Sequence, residues 1–211
     1  MAAMSSTEVA FAPLDAMDDE ALLARHGTAL LALARASIAW QLAEGAAMAC
    51  ALHDQPAELR QPRAVFVTLS VSGRLRGCVG TPVAWRPLVE DVVDNAAAAA
   101  FQDGRFQPLT RSELEGVSIA LSLLSAPVPL PAASEAELLD ALVPGRDGLI
   151  LSAGRCRAIF LPQVWEHLAE PRAFLGQLKL KAGLAEHHWS RSFAFQRFTS
   201  TSVAEAGAGH G

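Results

Sequence analysis

The sequence predicts an α+β fold built on antiparallel sheets. Two observations carry this. Helix-like and strand-like stretches are interspersed along the chain, and two strand pairs are separated by only two turn residues, Ser72-Gly73 and Ala153-Gly154. A two-residue link joins antiparallel neighbours, whereas parallel strands need a crossover of about a dozen residues or more, so a doubly wound parallel sheet does not fit.

The first helix follows Asp18 and Asp19, with Leu31, Ala34, Ile38 and Leu42 spaced three and four apart on one face and Gly45 as its stop. Residues 53–63 hold two prolines and mostly polar groups, a loop that delivers the chain into the β-branched run "AVFVTLS". Residues 74–80 return as the second arm of a hairpin. Beyond Pro82 and Pro87, "LVEDVVDNAAAAAF" has the alanine content of a helix, with Glu90 and Asp91 complementing the dipole at its start. "QDGRFQPL" is a loop, and Thr110 with Glu113 has capping-box spacing for a short helix before the alternating strand "GVSIALSLLS". Ser134 and Glu137 repeat that signal for a helix through Leu142. Residues 148–152 and 155–161 read as a second hairpin, "QVWEHL" and "EPRAFLGQLKLKAGL" as helical, and "SFAFQRFTS" as the last strand. Residues 1–18 and the glycine-rich residues 203–211 are expected to be flexible, leaving 19–202 as the folded domain.

A chain of 211 residues suits one domain or two small subdomains sharing a core. With 51% hydrophobic and 18% charged residues it is neither disordered nor fibrous. A net charge of -5 offers no cationic excess for phosphates, which argues against nucleic acid as a partner. The greasy run 29–43 is broken by Arg35 and Gln41 and falls short of the about 20 residues a bilayer span needs, so no membrane partner is expected. The start shows no basic region ahead of an apolar core, which points to the cytoplasm. Cys50, Cys78 and Cys156 are odd in number and widely spaced, as reduced thiols are.

Chemistry concentrates at "RLRGCVGT". A strand period of two puts Arg74, Arg76, Cys78 and Gly80 on one face. A guanidinium beside a thiol favours thiolate, a nucleophile or soft ligand, and Gly77 and Gly80 leave room for a ligand or another backbone. The competing reading is a buried cysteine acting as a small hydrophobe, with the glycines marking a bulge. Asp103, Arg105 and Phe106 combine a carboxylate, a guanidinium and a ring on one loop, fit to line a pocket or to form a turn with local ion pairing. His187-His188 has no second ligand pair at a recognised spacing, so no metal site is read. Lys179 and Lys181 are read as dipole-complementing surface charges near a helix end. GxSxG, GxGxxG and GxxxxGK[ST] are all absent.

Five blocks in order, "GRLRGCVGT", "RPLVEDVVDNAAAAAFQDGRFQPL", "PGRDGLIL", "AIFLPQVWEHL" and "LKLKAGL", resemble the AMMECR-one domain family, whose bacterial members are called AmmeMemoRadiSam system protein A. The resemblance spans residues 31–198. It implies two unequal subdomains, each with an antiparallel sheet, and a cleft between them faced by the motif Leu75, Arg76, Gly77, Cys78, Val79 and Gly80. It also implies association with a Memo-like protein, related to non-haem iron dioxygenases, and a radical S-adenosylmethionine protein. It assigns no biochemical activity and names no cofactor. The chain departs from the family at Arg155-Cys156-Arg157, and with no tyrosine anywhere, Phe198 stands without a phenolic group.

Two functions follow. In the first the protein is an accessory module whose cleft uses Arg76, Gly77, Gly80, Asp103, Arg105 and Phe106 to hold a ligand or partner segment. In the second it is an enzyme in which Arg76 activates Cys78 as nucleophile; His167 is the one histidine in the matching blocks available as a base.

Overall fold

A computed structural model describes residues 18–205. The expected flexible segments fall mostly outside this range. Helix α1 runs over Asp19–Glu44: the Asp18 carboxylate accepts from the Glu20 N–H at 3.4 Å, and Gly45 ends the helix at φ 68°. Strands β1 (Ala64–Val71) and β2 (Arg74–Gly80) form the first hairpin. Its turn needs left-handed backbone at both central residues, met by Ser72 at φ 50° and Gly73 at φ 75°. Helix α2 (Leu88–Phe101) follows, then β3 (Val117–Leu124), β4 (Val128–Pro129) and α3 (Glu135–Ala141). The second hairpin is β5 (Gly148–Ala153) with β6 (Cys156–Phe160); helix α4 (Pro171–Lys181) and strands β7 (Ala194–Phe198) and β8 (Ser200–Ala204) complete the chain.

The strands make two antiparallel four-stranded sheets, ordered β2-β1-β3-β8 and β4-β7-β5-β6. On the first, the alternate residues Val65, Val67 and Leu69 of β1 and Ile119 and Leu121 of β3 are fully buried against Ala34 and Ile38 of α1 and Leu88, Val92 and Ala96 of α2. On the second, Leu149, Leu151 and Phe195 pack against Leu138 of α3 and Phe174 and Leu178 of α4, with Trp165 stacked on Phe174 at 3.8 Å. A third cluster, Ala64 and Leu124 against Ile150 and Phe198, joins the sheets through the faces that carry no part of those two cores.

Several expectations change. Thr110 and Glu113 close a turn rather than a helix: the Glu113 carboxylate accepts from the Thr110 N–H at 2.8 Å, and only a 3-10 turn, Leu114–Gly116, follows. "QVWEHL" is likewise a 3-10 turn, Pro162–Glu166. The second hairpin turns at Gly154-Arg155, one residue later than expected. The tail does not begin at Val203. That residue and Ala204 belong to β8, and Glu205 is tied to the fold: its carboxylate accepts from Arg35 Nε at 2.8 Å and from the Ile119 N–H at 2.9 Å.

Candidate functional site

The register of β1 with β2 decides where the motif points. Phe66 pairs with Gly80, Thr68 with Cys78 and Leu69 with Gly77, but Ser70 pairs with Leu75, so Arg76 is an extra residue in a bulge. Strict alternation therefore fails: Leu75 joins Cys78 on the face away from the helices, and Arg74, opposite Val71, leaves it. The bulge sends Arg76 to Glu113, whose carboxylate accepts from Nε at 2.9 Å and Nη2 at 3.2 Å, with the guanidinium 6.0 Å from the Phe106 ring centre. Arg76, with the Thr110 donors, holds the Glu113 carboxyl down to about 2.

Cys78 is half-buried, and the Thr68 hydroxyl donates to its sulfur at 3.4 Å. The space left by the two motif glycines is filled by the protein. A Cβ on Gly77 would stand 2.1 Å from the Ala99 carbonyl oxygen of α2, and one on Gly80 would stand 2.3 Å from the Phe66 ring. Their absent side chains admit a helix and a ring; neither opens a gap for a ligand.

Asp103 and Arg105 converge on the same residue. The Cys78 N–H donates to Asp103 Oδ2 at 2.9 Å, and Arg105 Nη2 donates to the Cys78 carbonyl at 3.2 Å. The two side chains are themselves paired at 2.6 and 2.9 Å, and Arg105 lies 5.5 Å from the Phe106 ring centre. Arg105, then the Cys78 N–H, hold the Asp103 carboxyl far below the usual carboxylate range, against the opposing effect of burial, while Asp103 raises the Arg105 guanidinium.

Sequence reasoning missed Lys181. The last residue of α4, it reaches across to β6, where Nζ donates to the Ile159 carbonyl at 2.9 Å and lies 5.1 Å from the Phe160 ring centre. Partial burial pushes its pKa down, Arg105 adds to the effect, and Cys78 opposes it. Lys179 differs again: it is buried, bonded to Glu135 at 2.6 Å and to the Glu186 carbonyl at 3.1 Å. Lys179 is therefore not a surface charge, whereas Lys181 is exposed in the last turn of α4, as expected, and is in addition engaged by β6.

Cys50, Cys78 and Cys156 are free thiols. Among the described residues no group of three His, Cys, Asp or Glu side chains is placed to hold a metal ion, and no helix is long and apolar enough to cross a membrane. A separate hollow of about 570 Å³ opens at the opposite, β8 edge of the first sheet, lined in part by Arg146, Gln163, Ser200 and Ser202, and takes no residue from the Cys78 cluster.

Comparison with known proteins places these features in context. The AMMECR1 family model matches residues 31–203. A protein of Thermofilum pendens is 38% identical over 183 residues, covering 80% of this chain and 84% of that protein. Protein MK0488 of Methanopyrus kandleri is 35% identical over 180 residues, covering 81% and 83%. The crystal structure of the uncharacterized protein PH0010 from Pyrococcus horikoshii superposes with a TM-score of 0.79 at 32% identity, over 86% of this chain and 92% of that one.

Proposed function

Because this chain belongs to the AMMECR1 family, we propose that it is a ligand- or partner-binding accessory module whose cleft is lined by the LRGCVG strand, acting with a Memo-like protein and a radical S-adenosylmethionine protein. One observation supports the reading above the rest. The Cys78 sulfur lies on a sheet face floored by small side chains, Thr68, Ser70, Ser118 and Ala120, all half-buried. A sheet face buried by its own fold is ordinarily filled with β-branched and aromatic residues. A floor this shallow supports the reading of a cleft above it.

Native mass spectrometry of the purified protein, alone and mixed with each partner, tests this. The expected result is a reproducible adduct or complex that disappears in Cys78→Phe, a change that fills the floor while thermal melting shows the variant folded. A bare mass under every condition, with no complex formed, overturns it.

A second reading, an enzyme with Cys78 as nucleophile, draws support from the Thr68 hydroxyl donating to the sulfur, a bond a thiolate accepts well. Arg76 is engaged by Glu113, so the guanidinium that reaches Cys78 is that of Arg105, bonded to its carbonyl. Alkylation of Cys78 by a small electrophile that is much faster than that of Cys156 in the same protein is the expected signature. A rate no higher than that of Cys156 removes this reading.

A further inference from the structure

We propose that the ground beside Cys78 is a seat for a small anion, a carboxylate or phosphate group, gripped by Lys181 and the outer edge of Arg105, with the thiol touching the remainder of the ligand. The inference rests on the cleft reading above and gives its occupant a chemical class.

Three observations carry it. First, the two cations come from different halves of the fold and meet at one place. The Phe66 ring lies over Gly80, two residues from Cys78, and packs in the third cluster with Ile159, whose carbonyl holds Lys181. Arg105 reaches the same place from the other side, donating to the Cys78 carbonyl, and the charges of Arg105 and Lys181 act on each other.

Second, Lys181 has no carboxylate partner among the described residues, in contrast to Lys179 with Glu135. An ammonium has three donors, and Ile159 takes one. Two donors of an exposed ammonium with no carboxylate partner are thus open to an arriving anion.

Third, the Asp103–Arg105 pair is turned cation outward. The Asp103 side chain is 7% exposed, its carboxylate bonded by the Cys78 N–H and the guanidinium, and the Arg105 side chain is 57% exposed. The Arg76–Glu113 pair is turned the other way, its arginine side chain 16% exposed and its glutamate side chain 34%. On the Cys78 face of the strand, the cation is therefore the outward partner at the Asp103–Arg105 pair and the inward partner at the Arg76–Glu113 pair. That polarity orients a ligand with its anionic group toward Lys181.

Two alkylating reagents of nearly equal size read this potential at the thiol: iodoacetate, an anion, and iodoacetamide, which is neutral. Rates are followed residue by residue by peptide mass spectrometry of the native protein. Cys50 serves as an internal reference of opposite character, its thiol pushed up by burial and by Glu90 and Asp94. The iodoacetate-to-iodoacetamide rate ratio at Cys78 is expected to exceed that at Cys50 by about tenfold at low salt. Lys181→Met is expected to lower the ratio at Cys78 alone, and Lys181→Arg to retain it. Inorganic phosphate and succinate, added separately, are each expected to protect Cys78 from iodoacetamide if their group is the one seated, and protection by at least one is required. A ratio at Cys78 no higher than at Cys50, or protection by neither anion, overturns the anion seat and leaves the cleft standing. If neither reagent reaches Cys78 in the folded protein, the cleft reading falls with it.

Discussion

Asp103 completes the hydrogen bonding of Cys78 along the outer edge of β2: its carboxylate takes the N–H at 2.9 Å while its ion-pair partner Arg105 supplies the carbonyl at 3.2 Å. One loop thus satisfies both main-chain groups that an edge strand leaves open, and does so at the residue carrying the thiol.

Asp103→Ala is therefore expected to cost about 1 kcal/mol, the lower end of the range for leaving a donor unmet, since Cys78 is half-buried. Asp103→Asn, which keeps an acceptor, is expected to cost less. Urea unfolding gives the stabilities, and amide exchange at Cys78, faster in the alanine variant than elsewhere in β2, locates the effect. Equal losses for both variants contradict it.

Gly77→Ala sets main chain against main chain, since the new Cβ meets the Ala99 carbonyl oxygen at 2.1 Å. Neither a β-strand nor a helix yields as a side chain does, so the expected loss is about 3 kcal/mol, at the upper end for overpacking. Gly104→Ala, with nothing within 4 Å of its Cβ, is the control and is expected to stay within about 0.5 kcal/mol of the parent.

The Glu113 carboxyl, held down to about 2 by Arg76 and Thr110, titrates below its unfolded value near 4.3. A depressed acid stabilises the fold above the unfolded pKa, and that contribution fades as pH falls through the folded one. Glu113→Gln is expected to be less stable than the parent by about 1 kcal/mol above pH 5, after discounting for a part-exposed pair, with the gap closing between about pH 4.3 and 2. Urea midpoints of the two proteins across that window measure it. A gap that does not change with pH assigns the loss to packing alone.

Glu205 bonds Arg35 of α1 and the Ile119 N–H of β3. Glu205→Ala is expected to cost about 2 kcal/mol, within the range for hydrogen bonds to a charged group. In a double-mutant cycle with Arg35→Met, the combined loss is expected to fall short of the sum. Full additivity would mean that the pair is not coupled.

What was legible in the sequence was what local chemistry determines. Helix α1 with its Gly45 stop, the Ser72-Gly73 turn and the alanine-rich α2 are set by residues within a few positions of each other. Strand β8 was not, because Ser200, Thr201 and Ser202 lack the apolar alternation that marks a strand; its floor-side residues Ser200, Ser202 and Ala204 are small. The bulge at Arg76 depends on the pairing with β1 and cannot be read from β2 alone. The cluster was half-visible. Cys78, Asp103 and Arg105 could be singled out from residue type, but that Asp103 and Arg105 serve the Cys78 main chain is a tertiary fact. Lys181 was hidden because a lysine ending a helix has a sufficient local explanation, and Ile159, Phe160 and Arg105 come from distant segments.

The chain leaves the first sheet after β3, builds the whole second sheet, and returns only for β8, so the second half is an insertion within the first. The outgoing and returning segments are clasped together, the Ser125 N–H donating to the Thr199 carbonyl and the Thr199 N–H to Ser125 Oγ, each at 2.9 Å. The two crossings lie beside the buried cluster of Ala64, Leu124, Ile150 and Phe198, so the covalent and the apolar links between the halves share one corner of the molecule. Growth on the ribosome carries a cost from the same arrangement: the first sheet waits for its fourth strand until the whole second sheet has been made.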